Sequence, residues 1–412
     1  MSASPEVPIT IHHVGDDPDA DEAILELIEG DGYEDTGIAA PRIYARPDFH
    51  RLVGRMAGGE LRRIFAAADG AIVGSLTWLE RELDAAIVGD GPRRLLNALP
   101  WFGSHGGPLI GPGIPEEPAW EAAHALVAEF RAASQAEDVL ATTLISSPND
   151  DPEFVDLLVD AFEPTEIDWR RSQITPLPVS ANDSPERIGE RLLMDTFGQK
   201  TRNLVRKGLK EGFTIRQRDD DAAWHALETL HAAGMTAIGG PVKPPAHFAA
   251  LRESHRMAQR LWVAEDGGQI VAALLLLWAG GHVEYLVPAV DADHRSRQPM
   301  AAIIYSAMVE AVAGHDIDWS WGGTPMGHDS LHRFKAGFGG EDAPYAIMCR
   351  PGPAGVDRLR AIGPARLGQA APWWYAYPFA ALGGDAGDAN DDAGDATSDE
   401  ADGRTRHGRE PS

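Results

Sequence analysis

The residues best placed by type and spacing to do chemistry form a basic segment, residues 197–212, with the sequence FGQKTRNLVRKGLKEG. The chain contains five lysines, and three of them lie here, opposed only by Glu211. In a helix the polar residues would form two stripes beside an apolar one: Arg202, Arg206 and Lys210, and Lys200, Asn203, Lys207 and Lys210. Like charges at this spacing destabilise a helix by about 0.2–0.5 kcal/mol per pair. An anionic ligand would offset that repulsion. A solvated helix face is the alternative, and the sequence leaves both open.

Lys335 is a second candidate, in the segment HRFKAGF between Phe334 and Phe338. An ammonium group partly shielded from water acts more strongly on a nearby negative charge than one in bulk solvent, because the local dielectric constant is lower. The side chain could therefore stabilise a negative charge on a ligand. The alternative is a lysine at a helix end whose alkyl chain covers apolar surface while its ammonium reaches water.

A glycine-rich segment, LPWFGSHGGPLIGPG, is too rich in glycine for a regular element and too apolar for a linker. Its Gly106 and Gly107 would let the backbone approach a ligand closely, although a buried loop with unusual dihedral angles would need the same residues. His105 lies in this segment and is equally ambiguous. No general base stands out in the sequence.

Composition excludes several classes of function. A formal net charge of −27 and a pI near 4.8 disfavour general binding to nucleic acid or to a membrane surface, so an anionic ligand must be met locally. This acidic composition is typical of cytosolic proteins from organisms that balance external brine with internal salt. The only cysteine, Cys349, excludes an internal disulfide or a thiolate metal cluster. No Ser-His-Asp order, H-E-x-x-H motif or Walker loop supports a hydrolase or an NTPase.

The N-terminus has neither a basic nor an apolar signal region, and the longest apolar run, residues 270–281, is too short to cross a bilayer. We therefore expect a cytoplasmic protein without a transmembrane segment. The metal-ligating residue types show no shared spacing, so no metal site is expected.

The elements that must position these candidates repeat along the chain. Hydrophobic periodicity predicts, in each half, helices, a hairpin, a strand, a helix and a strand. The sequence thus predicts an α/β (α+β) fold of two tandem modules, each a mixed sheet flanked by helices. We place the modules at residues 1–178 and 179–352, a docking segment at 353–382, and a disordered acidic tail at 383–412, where almost nothing can be buried.

This plan resembles the GCN5-related N-acyltransferase (GNAT) fold, and its repetition resembles the Fem (FemAB-like) family, which pairs two such modules. Three segments carry the resemblance, in the family's order: KTRNLVRKGLKEGFTI, LPWFGSHGGPLIGPG and IDWSWGGTPMGHDSLHRFKAGFGG. It spans residues 40–350 approximately. In that family one module binds an acceptor, and a charged tRNA donates the acyl group; other branches are expected to use other donors such as acyl-CoA.

The resemblance implies roles for the candidates. Lys200, Arg202, Asn203, Arg206 and Lys207 would lie near the acceptor channel, and Phe334, Phe338, Gly106 and Gly107 would also contact substrate. Lys335 would act in catalysis by reaching a phosphate, the acceptor or the reacting carbonyl. Arg295 and Arg297 would contact donor phosphates through their side chains. The segment HRSRQPMAA lacks the glycines with which acyl-CoA-using members present backbone N–H groups to pyrophosphate, which counts against a conventional CoA site.

We therefore expect an N-acyltransferase that transfers an acyl or aminoacyl group to an amine of an anionic acceptor, a small molecule or a glycan-linked one. The donor would be an aminoacyl-tRNA or an acyl-CoA, and no tightly bound cofactor and no DNA partner are expected. The alternative is a non-catalytic GNAT-like scaffold that binds an anionic glycan or a nucleotide conjugate. The sequence does not specify the oligomeric state.

Overall fold

A computed structural model describes residues 8–14, 18–28, 37–98, 103–178, 183–254, 258–324 and 328–382. The tail predicted to be disordered and the point predicted to divide the modules, after residue 178, lie outside these residues or at their edge. The α/β class and the two-module plan are confirmed.

Within the described ranges the strands form one mixed sheet. Its strands are β1 (Thr10–Val14), β2 (Glu60–Ala68), β3 (Ala71–Glu82), β4 (Arg94–Ala98), β5 (Leu109–Ile110), β6 (Val139–Ile145), β7 (Glu166–Pro176), β8 (Thr214–Gln217), β9 (Ala258–Asp266), β10 (Gln269–Ala279), β11 (His282–Val290), β12 (Asp318–Thr324) and β13 (Glu341–Pro351). The order across the sheet is β1-β2-β3-β4-β6-β13-β7-β12-β11-β10-β9-β8, with β5 paired to β3. Each edge of the sheet therefore begins with the first strand of one module.

The helices are α1 (Pro18–Ile28), α2 (Pro47–Ala57), α3 (Ala85–Val88), α4 (Glu116–Ala133), α5 (Pro152–Phe162), α6 (Pro185–Arg191), α7 (Gln199–Lys210), α8 (Asp221–Ile238), α9 (Pro245–Glu253), α10 (Pro299–Ala313), α11 (Asp329–Gly337) and α12 (Gly355–Ala370). Short turns of 3₁₀ helix cover Ile43–Ala45 and Ala292–Arg297, and a π turn covers Leu192–Thr196.

Counted inward from either edge, the sheet has the same order of equivalent strands. β1 to β4 correspond to β8 to β11, β6 corresponds to β12, and β7 corresponds to β13. The equivalent strands nearest the centre also agree in length: β6 and β12 have 7 residues each, and β7 and β13 have 11. The fold is thus pseudo-twofold, with β7 and β13 at its centre.

The central strands are exchanged between the modules. β7, which ends the first half, pairs with β12 of the second, and β13, which ends the second half, pairs with β6 of the first. The two exchanged strands also pair with each other over nine residues. A cut of the chain near residue 178 would therefore separate each module from a strand that completes its sheet, and the boundaries 1–178 and 179–352 stay a prediction.

Helices cover both faces of the sheet. Alternate residues of β13 show the division: Tyr345 and Ile347 pack in one cluster with α2, α8, α9 and α12, whereas Ala346 and Met348 pack on the other face with α4 and α5. The second face continues over the second module, where α6, α7, α10 and the end of α11 pack together. We call these the α2 face and the α10 face.

Local sequence explains two of the element boundaries. Asp69 and Gly70 adopt positive φ in the hairpin turn between β2 and β3, as the Asp-Gly pair predicts. Pro299 begins α10 at its first position, where its missing N–H leaves no bond unmade.

Four elements were not predicted: β1, α3, β5 and α12. The expectation that the glycine-rich segment forms no regular element is wrong at Leu109–Ile110, where β5 pairs with β3. α12 bends at Gly363, which has a positive φ and is followed by Pro364, so its hydrophobic period is interrupted. The aromatic cluster after it packs on the body, and Trp374 is fully buried and donates from Nε1 to Ala57 O over 2.8 Å.

Candidate functional site

The basic segment forms helix α7, which packs on α10 and α11 and buries Thr201, Val205 and Gly208. Close approach requires the glycine, because a Cβ on Gly208 would lie 2.4 Å from Gln298 O. The opposite side of the helix is therefore left to the polar stripes. Lys200, Asn203, Arg206, Lys207 and Lys210 are all exposed.

The basic side chains of α7 are of two kinds: some bond to the protein itself, and others have no partner in the described part of the chain. Arg202 is half-buried, and its guanidinium donates to Leu193 O, Met194 O and Gln199 Oε1, so it stabilises the turn before the helix. Arg206, Lys207 and Lys210 have no hydrogen bond or ion pair to any residue that the structure describes. Three of the exposed cations on α7 thus have no partner among the described residues.

Lys335 is fully buried rather than exposed at the end of α11. Its Nζ donates to Gly323 O and to Thr324 Oγ1, each over 3.0 Å. The ammonium therefore lies at the carboxyl end of β12. This position differs from the solvent-reaching lysine considered as the alternative.

The start of α7 and the end of α11 are in contact. Gly198 N donates to Gly337 O over 2.9 Å, and the rings of Phe197 and Phe338 lie 5.1 Å apart. Phe338 is buried and meets Phe334 edge to face, with ring centroids 5.3 Å apart. The basic helix and Lys335 thus belong to the same face of the sheet, and the two phenylalanines pack the core between them. That these groups meet one ligand stays a prediction.

Strands β11 and β12 form a fork. They pair in parallel only over His282–Glu284 and Asp318–Ser320, and β11 then continues to Val290 while β12 continues to Thr324 without further pairing between them. The equivalent strands of the first module, β4 and β6, pair from Arg94 to Ala98 along all of β4. In the described residues the fork is therefore a feature of the second module alone.

The open end of the fork leads to the turn before α10. Gln298 adopts the left-handed conformation there, with φ 63° and ψ 42°. Arg297 is held by carboxylates: its Nε donates to Glu211 Oε2 over 2.7 Å, and it also pairs with Asp266. Arg295 is half-buried, and its Nε has no hydrogen-bond partner among the described residues. Of the two arginines predicted to contact phosphate, Arg295 is thus the one whose Nε has no acceptor among the described residues.

The closed end of the fork carries a buried charge cluster that joins the two modules. Arg42 donates to Glu284 Oε1 over 3.0 Å and to both oxygens of Asp318 over 2.9 and 2.7 Å. Tyr44 donates to Glu284 Oε2 over 3.0 Å, and His282 Nδ1 lies 3.0 Å from Asp318 Oδ2. Arg42 and Glu284 are almost wholly removed from water. Sequence reasoning missed this cluster.

Burial and pairing set the protonation of these groups in opposite directions. Burial raises the pKa of Glu284 above its ordinary value, against the opposing charge of Arg42. Burial would also raise the pKa of Asp318, but the hydrogen bond from His282 and the charge of Arg42 prevail and lower it. Burial would lower the pKa of Arg42, yet the two carboxylates raise it.

The glycine-rich loop lines a cavity in the first module, and the cavity wall includes residues of the clusters on both faces of the sheet. The cavity has a volume of ≈ 90 Å³, and its lining includes Gly106, Gly107, His105, Arg42 and Tyr44. Gly107 has φ 86°, and a Cβ there would lie 2.9 Å from Ile145 O, so the loop needs glycine at this point. The backbone of this loop therefore lies close to the backbone of β6 as well as to the cavity.

A signal for the missed residues exists in the sequence. Glu284 is a lone carboxylate inside the apolar strand HVEYLVPAV, and Arg42 is a lone cation in the segment AAPRIYA. A charge inside a buried strand needs a partner. Nothing in the sequence says that the partner lies 242 residues away.

No group of three or more histidine, cysteine, aspartate or glutamate side chains that could hold a metal ion occurs in the part of the chain described. Among the helices of that part, none is long and apolar enough to cross a membrane.

Comparison with known proteins finds a family model that is similar to part of the second module. Residues 196–325, which contain α7, the fork and α10, match the family model described as an acetyltransferase (GNAT) domain. We call this matched segment the GNAT domain. A search of curated proteins finds no match.

Solved structures resemble the GNAT domain together with the first module. FemX is similar over 82% of this chain and 96% of its own, with 15% identity and a TM-score of 0.59. A tandem GNAT protein from the clavulanic acid biosynthesis pathway is similar over 87% and 99%, with 14% identity and a TM-score of 0.47. The likeness to FemX shows a shared fold, and with the GNAT match it confirms the predicted resemblance at that level.

Proposed function

We propose that this protein is an acyltransferase of the GNAT type, which transfers an acyl or aminoacyl group to an amine of an anionic acceptor. The GNAT domain supports the transferase class. The donor, an acyl-CoA or an aminoacyl-tRNA, and the acceptor are parts of the proposal. A non-catalytic scaffold has no observation in its favour.

The single observation that carries the proposal is the fork between β11 and β12. Where two adjacent strands diverge, the N–H and C=O groups along their facing edges lack a strand partner. An extended ligand arm that contains amide groups can pair with such edges as an added strand does. The fork therefore suits a donor that presents its acyl group on an extended arm.

Acyl transfer to an amine needs a neutral nucleophile and positive charge beside the oxygen of the tetrahedral intermediate. Lys335 is our candidate for that charge, because its Nζ is fixed at Gly323 O and Thr324 Oγ1, on the carboxyl end of one arm of the fork. Its two hydrogen bonds position the ammonium before substrate arrives, so little reorganisation would be needed during reaction.

The exposed cations of α7 are our candidates for binding an anionic group. Arg206 and Lys207 lie on the helix whose buried side contacts the turn before α10. A phosphate or carboxylate of the substrate would relieve the repulsion among them. Because they are exposed, their contribution should weaken as salt is added.

The test combines labelled donors with two kinds of variant. The purified protein is incubated with radiolabelled acetyl-CoA or aminoacyl-tRNA, a panel of amines that carry phosphate or carboxylate, and a small-molecule cell extract. We expect a labelled amide with one donor class. Lys335→Met should lower kcat by about 10²–10³-fold with a smaller change in KM, as is typical when a group that stabilises an oxyanion is removed.

The charge-reversal variant Arg206→Glu/Lys207→Glu should instead raise KM for the anionic substrate. Arg360→Glu is the matched control, since Arg360 is exposed on α12, which packs on the opposite face of the sheet. Thermal unfolding of every variant verifies the fold. Absence of a labelled product with both donors, or wild-type turnover by Lys335→Met, would overturn the proposal.

A further inference from the structure

The cavity of the first module contains hydrogen-bond acceptors that the described residues leave unused. His105 is 3% exposed, and its Nε2 is buried without a partner. Asn97 is wholly buried, and its Oδ1 has no partner either. Both residues line the same cavity. A buried polar atom without a partner costs free energy unless a ligand or water satisfies it.

A relay of hydrogen bonds fixes which nitrogen of His105 carries the proton. Gly322 O can only accept, so Ser172 Oγ donates to it over 3.2 Å. Ser104 Oγ therefore donates to Ser172 Oγ over 3.0 Å, and its remaining contact, His105 Nδ1 at 3.3 Å, must be a donor. The proton is on Nδ1, and Nε2 presents a lone pair.

Asn97 has its orientation fixed in the same way. Its Nδ2 donates to Tyr375 O over 2.7 Å, which leaves Oδ1 as an acceptor. His50 also lines the cavity, and its Nδ1 is buried without a partner among the described residues. The cavity thus offers two defined acceptors, His105 Nε2 and Asn97 Oδ1, and one further unpartnered ring nitrogen, that of His50.

The charges around the cavity disfavour an ionic ligand. The guanidinium of Arg42 is already paired with Glu284 and Asp318. Burial, aided by the nearby Arg42 and His282, lowers the pKa of His105 well below its ordinary value, and burial lowers the pKa of His50 to about 3. Both rings are therefore neutral at pH 7, and none of the described residues that line the cavity carries a carboxylate to receive a cation.

The cavity connects with the fork. Tyr44, whose ring stacks on His105 at 6.1 Å, donates to Glu284 at the closed end of the fork. The relay from His105 ends on Gly322, in the arm of β12 beyond the last pair with β11. A group bound in the cavity would therefore lie beside the two strands, while Lys335 and α7 belong to the α10 face.

We propose that this cavity binds an uncharged amino group on a short apolar stem, with His105 Nε2 and Asn97 Oδ1 accepting hydrogen bonds from it. The inference rests on the proposed function, for which it supplies the acceptor's nucleophilic end: the amine would be held as its free base, the form that attacks a carbonyl. The anionic part of the same acceptor would lie outside the cavity.

The experiment uses the full chain, ¹⁵N-labelled at histidine, with methoxyamine as the probe because it is a small amine that is uncharged at pH 7. Two-bond ¹H–¹⁵N spectra should show His105 protonated at Nδ1 and bare at Nε2. Methoxyamine should shift the Nε2 resonance, and methylammonium and acetate should not. His105→Ala assigns the signal, and His225→Ala, which removes an exposed histidine of α8, should leave the shift intact.

Ser172→Ala tests the relay without altering the cavity wall. It should increase the Nε2-protonated form of His105 and weaken methoxyamine binding by about tenfold. Asn97→Leu should weaken binding by a similar factor, and it replaces Ser172→Ala as the test if that variant does not fold. A proton on Nε2 in the wild type, or an equal response to methoxyamine and methylammonium, would overturn the proposal. This outcome is separate from acyl transfer, because the spectra report binding whether or not turnover occurs.

Discussion

The buried pairing of Arg42 allows the junction between the modules to be tested quantitatively. Arg42→Met would leave Glu284 and Asp318 without the guanidinium that bonds to both of them. Removing one partner of a buried pair costs about 3–5 kcal/mol, because the remaining charge stays buried. With an unfolding entropy of about 2.1 cal/mol/K per residue over the roughly 350 residues that the structure describes, this corresponds to a Tm about 4–7 °C lower.

The assay is thermal unfolding at pH 7 with a matched control. Arg62→Met removes an arginine that is half-exposed and pairs with the exposed Glu60, so it should change stability by less than about 1 kcal/mol. Adding Glu284→Gln and Asp318→Asn to Arg42→Met should restore most of the loss, since no unpaired charge then remains. If Arg42→Met lowers Tm no more than Arg62→Met does, the reasoning about the junction is refuted.

Two further predictions concern stability. Burial raises the pKa of Asp150 to about 7, although the backbone N–H groups that bond to its carboxylate act to lower it. The stability that this side chain contributes is therefore complete below pH 4 and is lost as the pH rises to about 7. Asp150→Asn should flatten the Tm–pH curve over that window, and an unchanged slope would contradict the assignment. Gly208→Ala should lower Tm by several degrees because its Cβ would meet Gln298 O, whereas Gly54→Ala, where a Cβ meets ordinary contacts in α2, should leave Tm unchanged or raise it. Equal effects of the two substitutions would show that α7 and α10 need no glycine between them.

The sequence allows prediction of the elements whose causes are local. The turn at Asp69 and Gly70 and the start of α10 at Pro299 follow from backbone preferences of those residues, and the structure confirms both. The amphipathic pattern of residues 199–210 predicts α7, and the periodic order of elements predicts the two-module fold.

The parts that could not be predicted depend on contacts between distant residues. No local sequence feature indicates that β7 pairs with β12 and that β13 pairs with β6. Each module could equally have completed its sheet with its own last strand. The burial of Lys335 also depends on residues outside α11, because its Nζ bonds to Gly323 and Thr324 at the end of β12. Similarly, His105 becomes a defined acceptor only through Ser172, which is far from it in sequence.

Hydrogen–deuterium exchange tests most directly whether the donor's arm occupies the fork of the GNAT domain, as we propose. With the donor that supports turnover, peptides covering residues 285–290 and 321–324 should exchange more slowly, because their free backbone groups become bonded, while peptides of β4 and β6 should not change. Protection confined to β4 and β6, or no protection of either arm of the fork at saturating donor, would contradict the account.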